Sequence, residues 1–202
     1  MEKFIVIIAS TFFFISCNSQ NKRKILGQSE FQREMNAKFK DASTSPLTKK
    51  GLKKFKKLDF FPIDDKFKVK AKLIKTSEAS SFKFPTSTDR IAFYKKYGEI
   101  HFKMNGKKLM LTIFKNEFPK IGYENHLFLP FLDKTNGFTS YKGGRFIDVL
   151  TTDELSDGSI EIDFNKAYNP YCAYSNRYSC PITPRENFLD VEITAGVMDY
   201  KK

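Results

Sequence analysis

The chain of 202 residues carries 35 Lys and Arg against 23 Asp and Glu, a net charge of +12, with 41% hydrophobic and 15% aromatic residues. That much apolar surface excludes a chain disordered throughout, and the length suits one ordinary domain. The charge is uneven: residues 17–75 hold 17 Lys and Arg against 6 acids, whereas residues 76–202 hold 17 against 16.

At the amino terminus, Lys3 precedes an apolar run from Phe4 to Ile15 that stops at Ser16. A run of about twelve residues is too short to span a bilayer permanently and reads as the core of a secretory signal. Phe14-Ile15-Ser16-Cys17 resembles a bacterial lipobox, with Phe where Leu is more usual. The resemblance implies cleavage before Cys17, diacylglycerol on its sulfur and acylation of the new amino group. The alternative is an ordinary signal peptide with an incidental cysteine. The expected organisation is a signal peptide over 1–16, a polar tether over 17–27 and a single β-rich domain over 28–202. Asn18, Ser19 and Gln20 follow the cysteine without an acidic pair. By resemblance to lipoprotein sorting signals, this points to an outer-membrane lipoprotein facing the periplasm.

Ser29 followed by Gln32 makes a capping box, and Phe31, Met35 and Phe39 recur every four residues, so a helix is expected over 30–40. Ser45-Pro46 can start a second helical turn with Leu47, Leu52 and Phe55 as its apolar positions. Lys49, Lys50, Lys53, Lys54, Lys56 and Lys57 are the densest basic run. Each such charge near an anionic leaflet contributes roughly 1 kcal/mol, so the 49–57 segment is a candidate membrane contact beside the lipid. A solvated lysine face without a partner is the other reading. Nucleic acid, the usual partner of a basic stripe, does not suit an exported chain, so no nucleic-acid contact is expected.

Beyond Phe60 the apolar period changes from about 3.6 to 2. Phe67, Val69, Ala71 and Leu73 alternate with Lys66, Lys68, Lys70 and Lys72, as in a half-buried strand. Ile100, Phe102 and Met104 lead into Asn105-Gly106, and Leu109, Leu111 and Ile113 follow, the pattern of a hairpin with a type I′ turn. Further strands are expected over 126–129, 145–150, 159–164 and 188–194, while 165–187 is too rich in Asn, Tyr and Pro for one. Short strands without long helices between them argue for an antiparallel sheet, closing as a sandwich or a partly closed barrel.

Arg145 shares a strand face with Ile147 and Val149, and Asp148 shares the other with Phe146 and Leu150. Whichever face is buried, one charge points inward and needs a partner or a pocket. Asp163 is the expected partner of Arg145, within a polar cluster of Arg145, Asp163, Asn165, Tyr168 and Glu186. Such a cluster would bind a small polar or acidic ligand or another envelope component. Two other readings stand beside it. Asp163 and Glu186 could serve as acid and base of a hydrolase, with Tyr168 as proton donor. Alternatively the polar residues only build structure, with Asn165 and Asn169 satisfying backbone groups and Pro170, Pro181 and Pro184 stiffening a loop.

Cys172 and Cys180 remain once Cys17 is lipidated, an even pair in an oxidising compartment, and a disulfide between them is expected, with buried free thiols as the alternative. Their spacing matches no zinc knuckle and no C-x-x-C redox motif. His101 reads as solvated and His126 as structural. No G-x-S-x-G or H-E-x-x-H occurs, so serine hydrolases and zincins are disfavoured, and no cofactor or metal is expected. Whether the chain is an enzyme is left open.

Gly143-Gly144-Arg145, Asp163-Phe164-Asn165, Tyr168-Asn169-Pro170, the cysteine pair and Pro184-Arg185-Glu186-Asn187 together resemble a large uncharacterised family of bacterial and archaeal domains of unknown function. The resemblance runs from about Ser45 to Gly196 and implies no established activity. One departure is Val197, where such domains tend to carry Glu after an Ala-Gly pair.

Overall fold

The computed structural model describes residues 26–201; the expected signal peptide and Cys17 lie outside the described residues. Helix α1 (Glu30–Lys40) begins at Ser29, whose side chain accepts the Gln32 amide at 3.2 Å. Gln32 completes the cap one residue early: its Oε1 accepts the Gln28 amide rather than that of Ser29. The buried face of α1 is Gln32, Asn36 and Phe39. Asn36 is accommodated there because its amide donates to Leu26 O at 2.7 Å and its oxygen accepts the Leu58 amide at 2.7 Å. Helix α2 (Lys49–Lys54) starts later than Ser45-Pro46, from Thr48, which accepts the Gly51 amide at 3.1 Å.

Eight strands follow: β1 (Lys68–Lys75), β2 (Phe82–Phe84), β3 (Ala92–Met104), β4 (Lys107–Asn116), β5 (His126–Asp133), β6 (Arg145–Leu150), β7 (Ser159–Asp163) and β8 (Phe188–Leu189). They form one sheet in the order β6-β5-β4-β3-β1-β7, with β2 beside β3 and β8 beside β5. All pairings are antiparallel except β5 with β8. The sheet curls into a half-barrel. Past β7 the chain returns to β6, where Phe146 and Tyr168 exchange backbone hydrogen bonds of 2.9 Å in both directions. The β3–β4 turn has the expected form, with positive φ at both Asn105 (51°) and Gly106 (75°).

Three stretches depart from the alternation rule. The first half of β3, Phe93 to Tyr97, is half-buried on both faces, so it and its partner β2 carry no period of 2 to read. β5 continues through Pro130, whose missing N–H ends no pairing because Phe146 still lies opposite. The strand expected over 188–194 pairs only at Phe188 and Leu189. Beyond that point its backbone serves other donors: Val191 O accepts the Lys134 amide at 3.0 Å, and Ile193 O and Ala195 O accept the Arg145 guanidinium.

The barrel interior is filled by Phe67, Ile100, Leu111, Leu129, Phe131, Ile160, Phe164 and their neighbours, all buried. A second cluster, with Phe39, Leu47, Leu58, Tyr174 and Val197 buried, joins the amino-terminal segment to the carboxy-terminal one. Val197 thus occupies an apolar site, with its amide bonded to Ala167 O at 2.8 Å.

Asn187 shows how the carboxy-terminal segment is held. It is fully buried, its oxygen accepts the Thr112 amide at 2.8 Å, and its NH2 donates to Thr112 O at 2.8 Å and Pro130 O at 2.6 Å. One side chain therefore substitutes for a strand between β4 and β5. Each buried backbone group orphaned by its loss costs about 1–3 kcal/mol. Asn187→Ala is expected to lower unfolding free energy by roughly 3 kcal/mol or more in urea titrations, whereas a change near zero would show that the segment is held elsewhere.

Candidate functional site

Arg145 opens β6 on the inward face with Ile147 and Val149, and its side chain is fully buried. Its partner is Asp133 at the end of β5, with Nη2 to Oδ2 at 2.8 Å. The expected pairing with Asp163 is therefore corrected. Adjacent strand register explains it: Phe131 lies opposite Arg145 in the β5–β6 ladder, so the end of β5, two residues on, is within reach of a long side chain. Arg145 also donates to Ile193 O at 2.7 Å, to Ala195 O and to Thr135 Oγ1 at 3.4 Å. The Phe131 and Phe61 rings lie 5.2 and 5.7 Å from the central guanidinium carbon. Burial pulls the Arg145 pKa down, and Asp133 opposes that fall. The remaining Asp133 oxygen accepts the Thr135 amide at 2.8 Å, the Thr135 hydroxyl at 2.6 Å and the Ile193 amide at 3.2 Å. A charge so enclosed offers nothing to a ligand.

Of the other members of the expected cluster, Asp163 and Asn165 meet each other, while Tyr168 and Glu186 stand apart from them. Asp163 caps the turn after β7, accepting the Asn165 amide at 3.0 Å and its side-chain NH2 at 2.9 Å. Asn165 in turn clamps Asp64, taking its amide at 3.1 Å and donating to its carbonyl at 3.0 Å. Glu186 is exposed in the turn before β8. No hydrogen bond or ion pair joins it to Asp163 among the described residues. Gly144 lies at φ +88°, and a Cβ there would meet Phe131 O at 2.7 Å, so the paired glycines shape the approach to β6. Asn169 donates to Met198 O at 2.9 Å. The motif residues Arg145, Asp163, Asn165, Asn169 and Asn187 thus hold loops to the barrel.

Tyr168 is the exception. It lies on the outer face of β6, and its hydroxyl donates to Asp148 Oδ1 at 2.6 Å. Burial, and then the Asp148 carboxylate, push its pKa well above the usual phenol value, so it remains a hydrogen-bond donor. The pair lies in a groove of about 550 Å³ between α1, the outer face of β3–β6 and the 163–187 loop. Its aromatic bank runs from Tyr94 to Phe128 (ring centroids 5.5 Å), Phe146 (4.7 Å) and Tyr168 (6.1 Å), with Tyr171 beyond and Lys38 over the Tyr171 ring at 5.3 Å. Asp148 was legible as the outward charge of β6. Its use was not, because Tyr168 and α1 come from distant parts of the chain.

No Cys172–Cys180 disulfide is found in the structure, where the two expected partners lie side by side as free thiols. The Cys172 amide donates to Cys180 Sγ at 3.2 Å. A hydrogen bond from the Cys180 thiol, helped by the Tyr141 hydroxyl and Ser87, brings the Cys172 pKa down to about 6 against the opposing effect of burial. The shared proton raises Cys180, and burial together with Cys172 pushes Tyr141 up to about 12. The six lysines of the 49–57 segment are exposed, and none makes an ion pair among the described residues. Lys50, Lys54, Lys56 and Lys57 rim a hollow of about 910 Å³ beneath α2.

These features define a mainly β half-barrel domain with few helices and a carboxy-terminal segment fastened by buried polar groups. The chain belongs to the family described as "Protein of unknown function (DUF1684)", whose model matches residues 53–198. Among solved structures it is similar to the solution NMR structure of the uncharacterized protein from gene locus rrnAC0354 of Haloarcula marismortui, at 34% identity and a TM-score of 0.65, covering 83% of this chain and 91% of that one. No curated protein matches.

The thiol pair has a direct reading in kinetics. Iodoacetamide alkylation of Cys172 is expected to reach half its plateau rate near pH 6. Cys180→Ala, which removes the donor, should move that midpoint up toward the ordinary thiol value of about 8.5. A wild-type midpoint already at the ordinary value would contradict the shared proton.

Proposed function

We propose that this chain is a lipid-anchored cell-envelope binding protein whose ligand occupies the aromatic groove beside the 163–187 loop. The supporting observation is the Tyr168–Asp148 pair at 2.6 Å on the wall of that groove. Tyr94, Phe128 and Tyr171 supply flat apolar surface, Tyr168 holds the Asp148 carboxylate in place, and Lys38 adds a cation at the rim. Such a site suits a small polar molecule with a ring to stack and a hydroxyl or amine to donate to Asp148. Arg145, Asp163 and Asn165 then support the groove through the loop they hold rather than by contact with ligand, and Glu186 has no part in it.

The lipobox-like Phe14-Ile15-Ser16-Cys17 supports anchoring through Cys17, with an outer membrane and a periplasmic orientation as the proposed location. The unpaired lysines of 49–57 are suited to rest on anionic headgroups beside the anchor. Intact mass spectrometry of chain extracted from membranes is expected to show a polypeptide beginning at Cys17 and bearing acyl groups; an unprocessed amino terminus would contradict it.

The groove is tested by a thermal-shift screen of sugars and aromatic amines and alcohols. A saturating ligand raises the midpoint by linkage. The shift of any hit is expected to vanish in Asp148→Asn and to persist in Glu186→Gln. Equal loss in both variants, or no hit at millimolar concentration, would contradict the groove. Consumption of a hit during incubation would favour a hydrolase instead.

A further inference from the structure

The loop between β4 and β5 carries apolar side chains that nothing among the described residues covers. Phe118 is 72% exposed, Ile121 98% and Tyr123 55%, all within six residues, and Ile91 at the neighbouring start of β3 is 56% exposed. The positions are built rather than frayed. Asn116 Oδ1 accepts the Phe118 amide at 2.9 Å, Glu124 Oε1 accepts the Gly122 amide at 3.0 Å, and the Tyr123 amide donates to Lys120 O at 2.9 Å. The Phe118 ring rests edge-on against Phe93 with centroids 5.9 Å apart, and the Tyr123 ring lies 4.6 Å from that of His126. Hydrogen bonds therefore hold an apolar tip out into solvent.

We propose that the β4–β5 loop is a membrane-docking loop, its Phe118, Ile121 and Tyr123 side chains entering the headgroup–acyl boundary of the bilayer that carries the lipid anchor. The inference rests on the anchored reading above. Two phenylalanine-sized or branched apolar groups with a tyrosine, an apolar body with a polar tip, form the side-chain set that partitions to this boundary. The length of chain preceding the described residues permits it. Eight residues separate Cys17 from Leu26, and at full extension the stretch from one to the other reaches about 30 Å. Leu26 is tied to Asn36 on the side of α1 that faces Leu58 and Phe60, and the other side of α1 forms the groove wall facing Pro119, Lys120 and Tyr123, so the tether starts about one helix diameter, roughly 10 Å, behind that wall and its length spans the distance. The acyl groups on Cys17 hold the chain at the membrane but leave the tethered domain free to turn, and an inserting loop is the kind of second contact that fixes its orientation against the surface.

Charge indicates how the contact works. Around the tip Arg90, Lys95, Lys115 and Lys120 stand beside Asp89, Glu117 and Glu124, with Lys95 paired to Glu117 at 3.3 Å, so the acids offset all but one of the cations. With so small a net charge, the loop enters by its apolar groups, without need of anionic lipid and with little sensitivity to salt. In that it differs from the 49–57 lysines, which would require an anionic leaflet.

The chain contains no Trp, so a single introduced indole reports its own surroundings. Ile121→Trp places one at the loop tip. Phe138→Trp places one at a site 86% exposed in the β5–β6 loop, at the opposite end of β5. Both positions are exposed, and unchanged melting midpoints check that both variants fold. The acylated chain, purified from membranes, is reconstituted in pure phosphatidylcholine vesicles and again in vesicles with brominated acyl chains. The I121W indole is expected to emit at shorter wavelength and to lose most of its intensity to bromine, in low and high salt alike, while the F138W indole keeps water-like emission. An acylated preparation in which I121W stays water-like and unquenched, or in which F138W is quenched as strongly, overturns the docking loop. A preparation whose mass lacks the acyl groups overturns the anchor instead, and with it the inference built on it.

Discussion

The buried ion pair between Arg145 and Asp133 is the constraint around which the rest of this fold is arranged. Taking two charges out of water costs several kcal/mol per ion, and their attraction offsets this only when the remaining donors and acceptors are also satisfied. Here both terminal guanidinium nitrogens donate, to Asp133, Thr135 and the carbonyls of Ile193 and Ala195, leaving Nε alone without a partner among the described residues, and the carboxylate accepts from the amides of Thr135 and Ile193 and the Thr135 hydroxyl. Three parts of the chain must therefore meet at one point: the end of β5, the start of β6 and the segment after β8. That requirement explains why the carboxy-terminal segment is not a strand. Its Ile193 and Ala195 carbonyls answer a side chain rather than a neighbouring backbone.

The same device recurs away from the ion pair. Asn187 bridges β4 and β5, Asn165 clamps Asp64 beside the turn after β7, and Asn169 holds Met198. Side-chain amides thus do, for irregular backbone, what ladder hydrogen bonds do in the sheet. The family motif is in this sense a fastening pattern, and it leaves the outer face of β3–β6 free to be lined by Tyr94, Phe128, Phe146 and Tyr168. Of the motif residues, Tyr168, Pro170 and Cys180 line the groove, and Tyr168 is the one whose hydroxyl meets Asp148 there.

Helix α1, the Asn105-Gly106 hairpin and β6 were readable because each declares itself within a dozen residues through a cap, a turn pair or an alternation. That Arg145 must be paired or open to water was readable for the same reason, since a charge on an apolar strand face admits no other outcome. The partner was not readable. Asp133 ends an apolar run on another strand, and choosing it over Asp163 requires the β5–β6 register, which local pattern does not supply. The first half of β3 escaped because it is half-buried on both sides, and the segment over 190–194 looked like a strand because its inward residues Val191 and Ile193 alternate as in one. The groove escaped for a simpler reason: its walls are α1, Tyr94, Asp148 and Tyr171, which only the closed fold brings together.

A double-mutant cycle on Arg145→Met, Asp133→Leu and the combined variant, followed by urea unfolding, tests the organising role of the ion pair most directly. Each single change strands a buried charge, or buried carbonyls and amides, and is expected to cost about 3–5 kcal/mol. The pair together should cost less than the sum of the singles by about 2 kcal/mol or more. Additive losses, with no coupling between the two positions, would contradict the account.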